Sequence, residues 1–192
     1  MSRPRYTPAR SWQALSDAEW AALAPFVLRS GPGRPMADPR GRMDAVFRAV
    51  TASGPWRGLP EEHGRADTVH RQFRRWAHAG LWTRLLRAVV HPGAPAALRA
   101  LEHWICRAFR RALRLLGLLG LVLARRLGLL SALPAPPWLL PDPDLSAMAH
   151  ALLFRSAHAN GGLPERHIVR AVRSLLRMAG GRRRIPSCLA PA

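Results

Sequence analysis

The sequence predicts an all-α fold, with a small helical, helix-turn-helix-like N-terminal domain followed by a basic helical C-terminal region. Three observations carry this. Apolar residues recur at helical spacing in the segments between Gly/Pro breaks. Helix-start signals stand ahead of several of these segments. No stretch alternates apolar and polar residues as a half-buried strand does, and no internal repeat is found. The breaks divide the 192 residues into a domain over 1–90, a linker over 91–95 and a helical region over 96–192, itself split by a Pro-rich loop at 132–144.

The first helix starts at Leu15-Ser16-Asp17-Ala18-Glu19-Trp20, where Ser16 and Glu19 stand in capping-box register and Leu15 and Trp20 at staple positions. It should end near Pro25, ahead of the arm Ser30-Gly31-Pro32-Gly33-Arg34-Pro35. The second helix runs from Asp38-Pro39 to about Ala52, with Asp38 as its cap and Met43, Val46, Phe47 and Val50 on one face. Residues 54–60 then break the pattern.

The third helix is expected over Thr68–Ala79, capped by Asp67 and stopped by Gly80. At about 100° per residue, Val69, Phe73, Trp76 and Ala77 fall on one face and Arg71, Arg74, Arg75 and His78 on the other. A fourth helix takes Leu81, Trp82, Leu85, Leu86 and Val89 and ends before His91-Pro92-Gly93.

Beyond the linker, a long helix is expected from about Ala96 past Leu116. Leu98, Leu101, Ile105, Phe109, Ala112, Leu116 and Leu119 line one side, and Arg99, Arg107, Arg110 and Arg114 another. Gly117, Gly120 and Gly128 weaken its far end by about 1 kcal/mol each. Five prolines make 132–144 a loop. Two further helices follow, at about Leu145–Ala159 with Asp144 as cap, and Pro164–Ala179. The last sets Arg166, Arg170, Arg173 and Arg177 in a stripe opposite Ile168, Val172, Leu175, Leu176 and Ala179. Arg182, Arg183 and Arg184 close the basic tract.

The formal net charge is +19 and the pI about 12.0. That surplus predicts attraction to polyanions, nucleic acid first and an anionic membrane surface second. All 30 basic residues are arginine, a choice that fits translation of GC-rich DNA better than selection for arginine chemistry. Cys106 and Cys188 form neither a disulfide framework nor a metal-ligand pair, and His103 and Cys106 read as a surface histidine beside a core thiol. No metal or cofactor is expected. The opening residues carry no secretory signal, and the apolar run Leu115–Ala124 is too short to span a bilayer, which needs about 20 residues. The expected location is the cytoplasm, in association with the nucleoid.

Ordered blocks from Leu15 to Leu86 carry a family resemblance. They are Leu-Ser-Asp-Ala-Glu-Trp (15–20), Gly-Arg-Pro (33–35), Asp-Ala-Val-Phe (44–47), Gly-Pro-Trp-Arg-Gly-Leu-Pro-Glu-Glu-His-Gly (54–64), Thr-Val-His-Arg-Gln-Phe-Arg-Arg-Trp (68–76) and Ala-Gly-Leu-Trp (79–82). Together they resemble the N-terminal domain of bacterial DDE-type insertion-sequence transposases of the four/five group. Ala66 stands where an aromatic is common in that family, and Gly58 where an acidic residue is usual. The resemblance implies double-stranded DNA as partner and a recognition role for the third helix. Arg71, Arg74 and Arg75 are its expected DNA contacts, with Thr68, Gln72 and His78 beside them and Arg34 reaching a minor groove or phosphate. Trp20, Trp56, Phe73, Trp76 and Trp82 are expected to pack the core rather than stack on bases.

In that family a metal-dependent catalytic domain follows, whose carboxylates converge from rigid elements. After Asp67 this sequence offers only Glu102, Asp142, Asp144 and Glu165, with Glu102 and Glu165 expected at helix surfaces. The expectation is therefore a DNA-binding protein of transposase origin that is not an enzyme, from a truncated, frameshifted or diverged reading frame. The stripe Arg166–Arg177 and the tract Arg182–Arg184 admit three readings: further phosphate contacts, an anionic membrane surface, or a solvated face. The alternative function is a helical interaction protein that binds an intact transposase or an anionic membrane surface; the partners expected besides DNA are a second copy or an intact transposase, rather than a membrane.

Overall fold

The computed structural model describes residues 4–28, 36–52, 54–159 and 161–181. Among them are eight α-helices and no strand, so the all-α expectation holds. The chain divides into two compact units, one running to Pro134 and the other starting at Ala135.

Helix α1 (Asp17–Val27) begins at the expected capping box: the Ser16 hydroxyl accepts from the Glu19 N–H at 3.2 Å, and the Glu19 carboxylate accepts from the Ser16 N–H at 2.9 Å. The helix runs past Pro25, its expected end, because the turn closes regardless through Leu28 N–H to the Ala24 carbonyl. Helix α2 (Pro39–Thr51) has proline at its first position, and Asp38 accepts from the Gly41 N–H at 2.8 Å. Its face Met43, Val46, Phe47 and Val50 is fully buried.

The connection to α3 (Ala66–His78) covers residues 52–65 and holds two 3₁₀ turns, at Trp56–Gly58 and Glu61–His63. It is longer than the three or four residues of a compact helix-turn-helix turn. The expected cap at Asp67 is corrected: α3 starts two residues earlier, from Arg65, and Asp67 lies in its first turn, where a carboxylate suits the helix dipole. Gly80 takes φ 72°, a left-handed conformation that costs L side chains energy, and so turns the chain directly into α4 (Leu81–Val89).

The helix expected from Ala96 is two pieces, α5 (Ala96–Ala100) and α6 (Glu102–Arg126), parted at Leu101. Within α6, Gly117 leaves helical geometry at φ 59°, ψ −147°. The apolar stripe is buried up to Ala112, whereas Leu119, beyond that break, is exposed. The turn through residues 90–95 lies inside the first unit, since α6 packs back on α2, α3 and α4.

Aromatic rings fill the space between these helices. Trp82 and Trp104 are fully buried, with ring centroids 6.4 and 5.5 Å from Phe47. Phe73 and Trp76 approach Trp82 to 5.3 and 6.1 Å. Burying each such ring contributes roughly 3 kcal/mol or more, so this cluster is the main cohesion of α2, α3, α4 and α6.

The N-terminal segment closes the unit through contacts that periodicity does not reveal. Arg5 pairs with Leu129 in an isolated bridge, its N–H donating to the Gly128 carbonyl at 2.8 Å. Glu102 is buried, not at the surface as expected, because Arg5 forms an ion pair with it and the Thr7 hydroxyl donates to it at 2.7 Å. Arg10 reaches Glu19 at 2.7 Å and lies 4.2 Å over the Trp104 ring. Burial pushes the Glu19 carboxyl up, but the Ser16 N–H and the Arg10 guanidinium outweigh it and hold Glu19 below the usual carboxylate range.

The second unit is a helical hairpin of α7 (Pro143–Ala159) and α8 (Arg166–Ala179). Asp142, not Asp144, caps α7 by accepting from the Leu145 N–H at 3.0 Å, and its own N–H donates to the Ala179 carbonyl at 2.7 Å. Helix α8 starts at Arg166, two residues after the expected Pro164, with Glu165 as its N-cap residue. No helix among the described residues is long and apolar enough to cross a membrane.

Candidate nucleic-acid interface

The two faces of α3 separate as the spacing predicts. Val69, Phe73, Trp76 and Ala77 are buried; Thr68, Arg71, Arg74, Arg75 and His78 are exposed, and Gln72 is half-buried. The inner face packs on α2, α4, α6 and the turn at Trp56–Gly58. At 1.5 Å per residue, Arg71 to His78 spans roughly 10 Å of exposed surface. The helix therefore presents a short rigid row of cations held from behind by aromatic packing. Arg34 and Arg182, Arg183 and Arg184 lie outside the described residues.

The aromatic residues divide less evenly than expected. Phe73, Trp76 and Trp82 are core, while Trp20 and Trp56 are half-buried. Trp56 stands 5.0 Å from both His70 and Phe73 by ring centroids, and the Arg111 guanidinium lies 5.3 Å from its ring. Arg111 also donates to the carbonyls of Ala52 and Gly54 at 3.1 and 2.9 Å, fastening the connection that precedes α3 onto α6.

Residues Trp56, His70, Phe73, Arg74, Arg111, Arg114 and Leu115 line a cleft of about 380 Å³. Burial, then the nearby Arg107 and Arg114, push the Arg111 guanidinium below its ordinary value. Burial, then Arg74, likewise push His70 down, which favours its uncharged form. Periodicity placed Arg114 along one side of a long helix but gave no reason to join it, or Arg111, to α3. The signal is a contact between distant segments, which single-helix spacing does not record.

Much of the arginine surplus serves the fold. Arg107 donates to the Val50 carbonyl at 3.2 Å, Arg110 to the Pro134 carbonyl at 2.8 Å, and Arg48 lies 5.1 Å from the Trp12 ring. On α8, Arg166, Arg170, Arg173 and Arg177 are exposed. Cys106 is a buried core thiol pushed up to about 12 by burial, 3.9 Å from the Thr7 hydroxyl. His103 is half-buried rather than at the surface, and burial pushes it down.

Residues 15–86 match a family model described as "Putative transposase of IS4/5 family". Over those residues the chain is similar to that transposase family. The match takes in α1 to α3 and most of α4, and so includes the whole exposed face of α3. It stops short of α6, although α6 packs directly on the matched helices. No curated protein and no solved structure matches the chain.

Proposed function

We propose that this chain binds double-stranded DNA through the exposed face of α3 and does not itself carry out strand transfer. The observation that supports it best is the row Arg71, Arg74, Arg75 and His78, exposed on a helix whose opposite face is locked into an aromatic core. Guanidinium groups on a rigid helix suit phosphate contacts and bidentate contacts to guanine edges in a major groove. Thr68 and Gln72 on the same helix are further contacts, and Arg34 is a further candidate contact by sequence.

The assignment as a non-enzyme rests on what the carboxylates do. Glu102 is committed to Arg5 and Thr7, Asp142 caps α7, and the Glu165 carboxylate lies 3.0 Å from the His167 ring nitrogen. A metal-holding set would need such oxygens to converge from rigid elements. A mobility-shift titration of the full chain on duplex DNA at low salt tests the reading. A retarded complex is expected, and a chain that leaves the duplex unshifted overturns it.

A second reading has its own support. The α7–α8 unit leaves Met148, Phe154, Leu163 and Met178 exposed. An apolar hairpin face of that kind suits a second copy of the chain or an intact transposase. Light scattering on the purified chain should then give a mass above the monomer's 21.2 kDa. A monomeric mass at all concentrations removes the self-association form of this reading.

A further inference from the structure

We propose that the cleft between α3, the Trp56–Gly58 turn and α6 seats a backbone phosphate of the bound duplex, contacted by Arg74 from α3 and Arg114 from α6. The inference rests on the DNA-binding reading above and extends it beyond the matched residues, since Arg114 lies outside 15–86.

Three features of the cleft point to an anion. Its lining holds three guanidinium groups, Arg74, Arg111 and Arg114, and no carboxylate. Positive charge is already crowded there: burial, Arg107 and Arg114 hold Arg111 below its ordinary value, and burial and Arg74 hold down His70 beside it. A bound anion relieves that crowding, and arginine's planar fork suits phosphate oxygens. Finally, Arg74 and Arg114 both line the cleft and are exposed, and Arg111 in the same lining donates to the Ala52 and Gly54 carbonyls.

The cleft is a poor seat for a base. The Trp56 ring already has His70, Phe73 and Arg111 against it, so it forms a wall rather than an open stacking platform. A phosphate here would carry the DNA path from the recognition face onto α6. Such a contact positions the duplex and carries no sequence information.

The test is fluorescence anisotropy of the full chain with a labelled random-sequence duplex, repeated over a range of salt. Arg114→Gln should lower affinity equally on all sequences and reduce the slope of log K against log salt by about 1. Arg114→Lys should keep the slope, because a cation remains. Arg87→Gln, an exposed arginine on α4 that lines a different cleft, should leave the slope as in the unaltered chain. An unchanged slope for Arg114→Gln overturns the phosphate site while leaving α3 as the reading face. An equal loss in Arg87→Gln also overturns it, since the effect would then be one of net charge. Failure of the unaltered chain to bind overturns both this inference and the reading beneath it.

Discussion

Raising salt from about 50 to 200 mM should weaken duplex binding by this chain roughly 10³-fold, and replacing Arg71, Arg74 and Arg75 together with alanine should remove about half of that dependence along with any sequence preference. The first number follows from neutralising about six phosphates, each contributing about −0.9 to the slope of log K against log salt. Removing three phosphate-facing cations cuts the expected slope to roughly half. Sequence preference falls with them because these side chains leave α3 on the one face that is free of the core. All three are exposed, so alanine there removes charge without opening a cavity, and the thermal midpoint should stay close to that of the unaltered chain. Quantitative mobility shifts on a selected site and a scrambled one measure both effects. Preference that survives the triple replacement would mean that another element reads the bases.

The legible parts of this molecule are those written in local spacing. A face repeats every three or four residues, so α3 reveals its buried and exposed sides in its own residues 66–78. Caps are equally local: Ser16 with Glu19, and Asp38 ahead of Pro39, act within one turn. Where two neighbouring candidates compete, local reading falters. Asp67 and Asp144 each looked like a cap, yet α3 begins from Arg65 and α7 is capped by Asp142. Gly117 was legible as a weak point but not as a break, because only the backbone shows that it leaves the helical region.

Contacts between distant segments left no such trace. Arg5 and Thr7 bind Glu102 across more than ninety residues, and that partnership buries a carboxylate that helical spacing places at the surface. Arg111 crosses from α6 to the connection ahead of α3 in the same way. The candidate site was accordingly half legible: the α3 row was visible, and the α6 wall of the adjoining cleft was not. The transposase resemblance had the same horizon, because the matched residues end before α6 begins.

Replacing Trp82 with alanine should destabilise the first unit by about 3–5 kcal/mol, the range for deleting a buried aromatic side chain. Trp82 is fully buried and is the ring on which Phe47, Phe73 and Trp76 meet, from α2 and α3. Truncation leaves a cavity that three separate side chains from two helices would have to collapse together to fill. Against a typical domain stability of about 5–15 kcal/mol, the loss is large enough to lower the folded population visibly. Trp138, which is 73% exposed in the second unit, provides the contrast: its replacement with alanine should change stability by no more than about 0.5 kcal/mol. Denaturant titration followed by circular dichroism measures both, with a shifted midpoint at constant slope as the signature of lost stability. The same variant separates scaffold from contact. Trp82→Ala should lose DNA binding in proportion to its unfolded fraction, whereas the Arg71, Arg74 and Arg75 replacement should lose binding while fully folded. A Trp82→Ala chain with an unchanged midpoint would mean that the aromatic cluster does not hold α3 in place, and the rigidity on which its row of cations depends would need another source.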